Sequence, residues 1–276
     1  MNSGAISPAG RDGDTLLYRK ILGEGSRTLV FVAGLGGTTR YWEARLGVLT
    51  PHYRIVLVDL LGFGDSPKPW AKYSIERHVA ALRHTLTDLG PVSIIGHSLG
   101  ASVAAAYSAR HPQDVTRLIL LSMPCFGSQA AAYTYLRKGP VRGGFIYTNV
   151  LLTMLACIIS RRLLGRVLPY IIRDIPREVV EDLVKHTWRS STSSLWEAVY
   201  RYDVANELGT LPAILKVLCI HGSDDTMAPV AAVRKLAADF SNIELCVLAG
   251  LDHHPFLRAP ERCSELIMAF VPNAVN

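Results

Sequence analysis

Short apolar runs mark both ends of the chain at regular intervals. Residues 29–33 (LVFVA), 55–58 (IVLV), 92–95 (VSII) and 118–121 (LILL) are nearly continuous in hydrophobicity rather than alternating. That pattern predicts strands covered on both faces, as in a parallel sheet. Ser74 is placed to N-cap a helix in which Ile75, Val79, Leu82, Leu86 and Leu89 recur at helical spacing, and Gly90-Pro91 ends it. The pattern resumes late, with a strand at 217–220, a helix over about 230–240, a strand at 243–248 and a helix over about 261–270. Strand, helix, strand repeated in this way predicts an α/β doubly wound architecture: a mostly parallel sheet with helices on both faces.

Between 122 and 210 the strand signal disappears. Helical stretches there are broken by Gly139-Pro140, Gly143-Gly144, Pro169 and Pro176. The expected organisation is a core in two parts, 1–121 and 211–276, with 122–210 inserted above the sheet as a helical cap. Residues 143–160 carry no charge, and Arg161, Arg162, Arg166 and Arg173 follow. The length is borderline for a membrane span, but Thr148, Asn149, Thr153 and the glycines argue against one. The favoured reading is a cap helix packed on the core or lining an apolar pocket. A membrane-surface or homodimer contact through the cap is the second reading.

Composition narrows the partners. At 276 residues and 49% hydrophobic, the chain can fill one core, which excludes a disordered or low-complexity protein. The net charge is +6, yet no block of five like charges concentrates it, so nucleic acid is not an expected partner. Five cysteines in no metal-ligand spacing argue against a disulfide scaffold or a zinc site and favour a reducing, cytoplasmic setting. Residues 1–14 show no secretory signal pattern. No obligate protein partner is inferred.

The chemistry centres on Gly96-His97-Ser98-Leu99-Gly100, which follows the run at 92–95 and precedes the Ala-rich, helix-forming stretch 101–110. This is G-x-S-x-G between a strand and a helix. A serine on that sharp turn is presented to a cleft, and glycines on either side avoid the clashes a Cβ would cause. The helix N-terminus brings N–H groups and its positive dipole end to where an oxyanion would form. His97, beside the serine, is expected to point away from it and to be structural.

A serine hydroxyl needs a histidine to take its proton, and the histidine needs a carboxylate to hold its tautomer. In a fold of this type the order is serine, acid, histidine, each on a loop after a strand. After the last strand comes Asp252-His253-His254-Pro255, so His253 or His254 is the base. After 217–220 comes Asp224-Asp225, with Asp252 a third candidate acid. One of the Asp224-Asp225 pair is expected to be an N-cap or turn residue before the next helix while the other pairs with histidine. Ser122-Met123-Pro124-Cys125 offers no carboxylate after the strand at 118–121.

From about 29 to 121 and again from about 211 to 270 the chain resembles the α/β-hydrolase family, and within it the capped, cofactor-free esterases, enol-lactonases and carbon–carbon bond hydrolases. Asp59-Leu60-Leu61-Gly62-Phe63-Gly64-Asp65-Ser66 matches the family's D-x-x-G-x-G-x-S stretch. Its G-x-x-D-x-x-x-P frame falls on Gly222, Asp225 and Pro229, which selects Asp225. Its histidine loop falls on His253, Pro255 and Pro260-Glu261, which selects His253, with Asp252 standing where glycine is usual. The implied oxyanion donors are the backbone N–H groups of Leu99 and of Leu35, in Ala33-Gly34-Leu35-Gly36-Gly37.

The resemblance implies hydrolysis of a carboxylic ester, lactone or thioester with an apolar acyl or cyclic group, through an acyl-enzyme on Ser98, with no metal or cofactor. The alternatives are carbon–carbon bond hydrolysis of a meta-cleavage-type diketone by the same residues, and a non-hydrolytic cyclase or ligand-binding role.

Overall fold

In the computed structural model, residues 15–139 and 143–271 are described. Seven strands form one sheet: β1 (Arg19–Leu22), β2 (Thr28–Val32), β3 (Arg54–Val58), β4 (Val92–His97), β5 (Val115–Leu121), β6 (Val217–Gly222) and β7 (Ile243–Leu248). Their order is β1-β3-β2-β4-β5-β6-β7, with β1 antiparallel to β3 and every other pairing parallel. β1 escaped the hydrophobic pattern. It is a half-exposed edge strand whose Arg19 and Lys20 pair with Asp88 and Glu43, so it carries no apolar run.

The continuous runs make sense once the faces are separated. Val30, Val32, Val56, Val58 and Ile94 pack into one cluster with Leu82, Val103 and Leu236 from helices on their side. Their chain neighbours Leu29, Phe31, Ile55, Leu57 and Ile95 pack into a second cluster with Trp42, Phe256 and Ile267 on the opposite face. Each strand therefore buries both faces, and a period of two is hidden by apolar residues on each side. The helix predicted after Ser74 is Ile75–Leu86, with the Ser74 hydroxyl accepting from the Arg77 N–H. The later helices are Val230–Asp239 and Pro260–Phe270.

The chain crosses from β3 over β2 to reach β4, so β2 and β4 are neighbours that turn away in opposite directions at their carboxyl ends. Ligands of open α/β sheets lie in the crevice such a reversal creates. The register aligns the remaining ends there: Val32 with Gly96, His97 with Leu121, Leu121 with Ile220, and Gly222 with Leu248. The loops after β2, β4, β6 and β7 thus leave one rim.

Between β5 and β6 lies a series of helices: Gln129–Lys138, Gly144–Tyr147, Val150–Ile159, Leu168–Ile171, Arg177–Asp182, Trp188–Ser194 and Val204–Gly209, with wider π-type turns at Ser160–Leu164 and Leu195–Tyr200. Its packing departs from expectation in one respect. The helix Val150–Ile159 fully buries only Thr153, while Val150, Leu151, Leu155 and Ile159 stand exposed.

Candidate active site

Ser98 sits between β4 and the helix Leu99–Arg110 with φ 52° and ψ −119°, a backbone conformation that L-residues rarely adopt. The neighbouring glycines explain how the turn is tolerated. A Cβ on Gly96 would lie 2.4 Å from the Gly100 carbonyl oxygen, and one on Gly100 would lie 2.3 Å from that of Val32. Both positions are closed to any side chain. The loop after β2 also packs on the serine, since a Cβ on Gly34 would be 3.0 Å from the Ser98 Cβ. Leu35 and Ser98 line the same cavity, and Leu99 begins the helix.

The loops of β6 and β7 bring Asp225 and His253 together with Ser98. The serine Oγ is 3.0 Å from His253 Nε2, and His253 Nδ1 is 2.9 and 3.0 Å from the two Asp225 carboxylate oxygens. The serine hydroxyl donates to Nε2 and the imidazole donates from Nδ1. Asp225 is wrapped further: Oδ1 accepts from the N–H groups of Met227 and Ala228 at 2.8 and 2.9 Å. Oδ2 lies 3.1 Å from Nε2 of His221, a buried histidine at the end of β6. Burial alone would raise this carboxyl's pKa. Hydrogen bonds from His221 and His253, the charge of His253 and the Ala228 N–H outweigh it and hold the group far below the usual carboxylate range.

Asp225 therefore both caps its own loop and meets the histidine. Asp224 does not meet the histidine: it is an exposed turn residue after β6 that accepts from the Ser223 hydroxyl, and the helix Val230–Asp239 starts at Pro229 without a side-chain cap. Asp252 is also drawn elsewhere. Its carboxylate takes two bonds from Arg258, at 2.6 and 2.9 Å, and one from the His254 N–H. His254 is not on the serine; its Nδ1 lies 3.5 Å from the Tyr41 hydroxyl, and burial, then the nearby His253, lower its pKa to about 4.

His97 does turn away from Ser98, but toward a specific partner. Its Nε2–H donates to the His253 carbonyl at 2.7 Å while its ring stacks on Tyr41 at 4.8 Å. Burial, with His253 and His254 close by, keeps its pKa well below the ordinary imidazole value, so the ring is neutral. Neither this contact nor that of His221 is visible as a motif.

Ser98 and His253 open onto a cavity of about 370 Å³. Phe126, Leu136, Tyr147, Leu195, Val199 and Tyr200 supply one part of its wall from the segment between β5 and β6. Among the described residues, none that line it is Asp, Glu, Lys or Arg. No group of three or more His, Cys, Asp or Glu among the described residues is arranged to hold a metal ion, and no helix there is long and apolar enough to cross a membrane.

A family model described as the alpha/beta hydrolase family matches residues 29–266. The chain belongs to that family and is a hydrolase. An uncharacterised protein of Mycobacterium tuberculosis is 27% identical over 263 residues, covering 91% of this chain and 77% of the relative. A protein of Arabidopsis thaliana named "Probable lysophospholipase BODYGUARD 5" is 23% identical, covering 82% of this chain and 57% of its own length. Among solved structures, an esterase from Exiguobacterium antarcticum shares the fold with a TM-score of 0.74 at 20% identity, over 92% of this chain and 95% of that one.

Proposed function

We propose that this protein hydrolyses a carboxylic ester, lactone or thioester whose acyl or cyclic group is neutral and apolar. The observation that carries the reading is the unbroken chain Ser98 Oγ–His253 Nε2 and His253 Nδ1–Asp225, at 3.0 and 2.9 Å, beside a cavity with no Asp, Glu, Lys or Arg among its described lining residues. His253 takes the proton as Ser98 attacks the carbonyl, and Asp225 holds the imidazole tautomer and offsets its charge. The N–H groups of Leu35 and Leu99 receive the oxyanion. Return of the proton to the leaving group gives the acyl-enzyme, and water activated by His253 then releases the acid. The region 122–210 acts as the cap whose aromatic and aliphatic side chains hold the acyl group. A small apolar ester is favoured over a dienoate-type diketone because, among the described residues, the lining offers no Lys or Arg to pair with a substrate carboxylate.

Hydrolysis of p-nitrophenyl esters of increasing acyl length tests this. Wild-type protein is expected to turn them over and to be labelled at Ser98 by a fluorophosphonate. Ser98→Ala should lose roughly four to six orders of magnitude in kcat and all labelling, with an unchanged circular dichroism spectrum. Full activity in that variant refutes the assignment. A folded wild-type protein that takes no label favours a non-hydrolytic role.

A further inference from the structure

Twelve of the eighteen large hydrophobic side chains that stand exposed among the described residues fall within 145–171. Scattered singly they would need no explanation; gathered in one segment they do. In the helix Val150–Ile159 the sorting is regular. Thr153 and Cys157 form the inner side, where Cys157 meets Ser191 of the helix Trp188–Ser194, while Leu151, Leu155 and Ile159 form an outward stripe at i, i+4, i+8. Leu163, Tyr170 and Ile171 continue the exposed apolar series.

The charge of the same segment has one sign. Residues 143–173 contain no Asp or Glu, and Arg161, Arg162, Arg166 and Arg173 are all exposed. Among the described residues, Arg161, Arg162 and Arg166 enter no ion pair. The segment also adjoins the cavity, because Tyr147 near its start and Ile175 just beyond its end line it. Apolar side chains beside unpaired arginines suit an anionic lipid surface: the former enter the acyl boundary and the latter meet phosphates. A second copy of the chain fits less well, since pairing this face with itself would oppose arginines to arginines with no carboxylate from 143–173 to separate them.

We infer that residues 145–171 form a docking face for anionic lipid bilayers, holding the mouth of the cavity against the membrane so that apolar substrates enter from the lipid. The docking does not depend on the hydrolytic reading. Cosedimentation of the Ser98→Ala protein with phosphatidylcholine vesicles, with or without about 30 mol% phosphatidylglycerol, tests it without any turnover. Binding is expected to the anionic vesicles, to weaken with salt, and to be much poorer on neutral ones. Arg161→Gln/Arg162→Gln should weaken it about thirtyfold, at about 1 kcal/mol per arginine. Leu151→Ser/Leu155→Ser should weaken it at least about tenfold. Both double variants alter only exposed side chains, and their thermal unfolding certifies the fold. Absence of binding to anionic vesicles, or binding untouched by both double variants, overturns the inference. So does a dimer in light scattering that becomes monomeric on Leu151→Ser/Leu155→Ser, which would make a second copy the occupant.

Discussion

The imidazole of His97 lies one position before Ser98 yet is bonded to the backbone of His253, 156 residues away. Its ring is fixed from one side by Tyr41 and from the other by the His253 carbonyl. A buried neutral histidine of this kind acts through another residue: it sets where the loop after β7 stands relative to Ser98. His97→Leu removes the donor and leaves a buried carbonyl unpaired, so kcat on a p-nitrophenyl ester is expected to fall about ten- to a hundredfold with KM changed little. His97→Gln, whose amide can still donate, should recover part of the loss. Equal losses in both variants, or an effect confined to KM, would make the contact merely structural. Ser98, Asp225 and His253 were legible in the sequence because loop motifs carry their residue types in chain order. His97 and His221 were not, because their roles consist of reaching a carbonyl and a carboxylate that only the folded sheet edge brings near. Asp224 and Asp225 are equivalent by residue type alone, and what separates them in the fold is the backbone turn at Met227 and Ala228.

At the scale of elements, the turn that carries Ser98 is held by close backbone approach rather than by side-chain bonds. The helix Leu99–Arg110 can lie against β2 because Gly100 has no Cβ, which would otherwise meet the carbonyl oxygens of Val32 and Ala33 at 2.3 and 2.6 Å. Neither is the end of a flexible side chain. Gly100→Ala is therefore expected to cost about 3 kcal/mol or more in urea unfolding. Gly47→Ala, where nothing lies within 4 Å of the added carbon, should stay within about 0.5 kcal/mol. A Gly100→Ala protein as stable as wild type would mean that helix and sheet can part at no cost. Hydrophobic runs revealed the strands that are buried on both faces, and Ala density revealed the helix that packs close. They could not reveal β1, an edge strand with charged positions, nor the direction in which the helix Val150–Ile159 faces, since a segment apolar on nearly every side carries no period to orient it.

Across the whole molecule, several histidines are held neutral by burial, and this ties stability to pH. His78 is fully buried, with its pKa lowered to about 4 by desolvation, and its Nε2 lies 2.9 Å from the Ser194 hydroxyl. That contact joins the helix Ile75–Leu86 to the segment between β5 and β6. His254, beside the candidate base, is lowered to about 4 in the same way. In both cases the folded pKa lies below the unfolded value of about 6.5. Between those two values the unfolded chain binds more protons than the folded one, so stability is intact near neutrality and is lost as pH falls from about 6.5 toward 4. Asp225 continues the trend at lower pH, because a carboxylate held far below its ordinary range loses stabilisation once the unfolded chain begins to take up the proton. Chemical denaturation at a series of pH values should show unfolding free energy declining across that window. His78→Leu isolates one contribution: whatever it does to stability at neutral pH, the slope between about 6 and 4.5 should become shallower by up to about 1.4 kcal/mol per pH unit, the worth of one proton. An unchanged slope would mean that His78 is as easily protonated in the folded protein as in the unfolded chain, and that its contact with Ser194 opens to water without unfolding the rest.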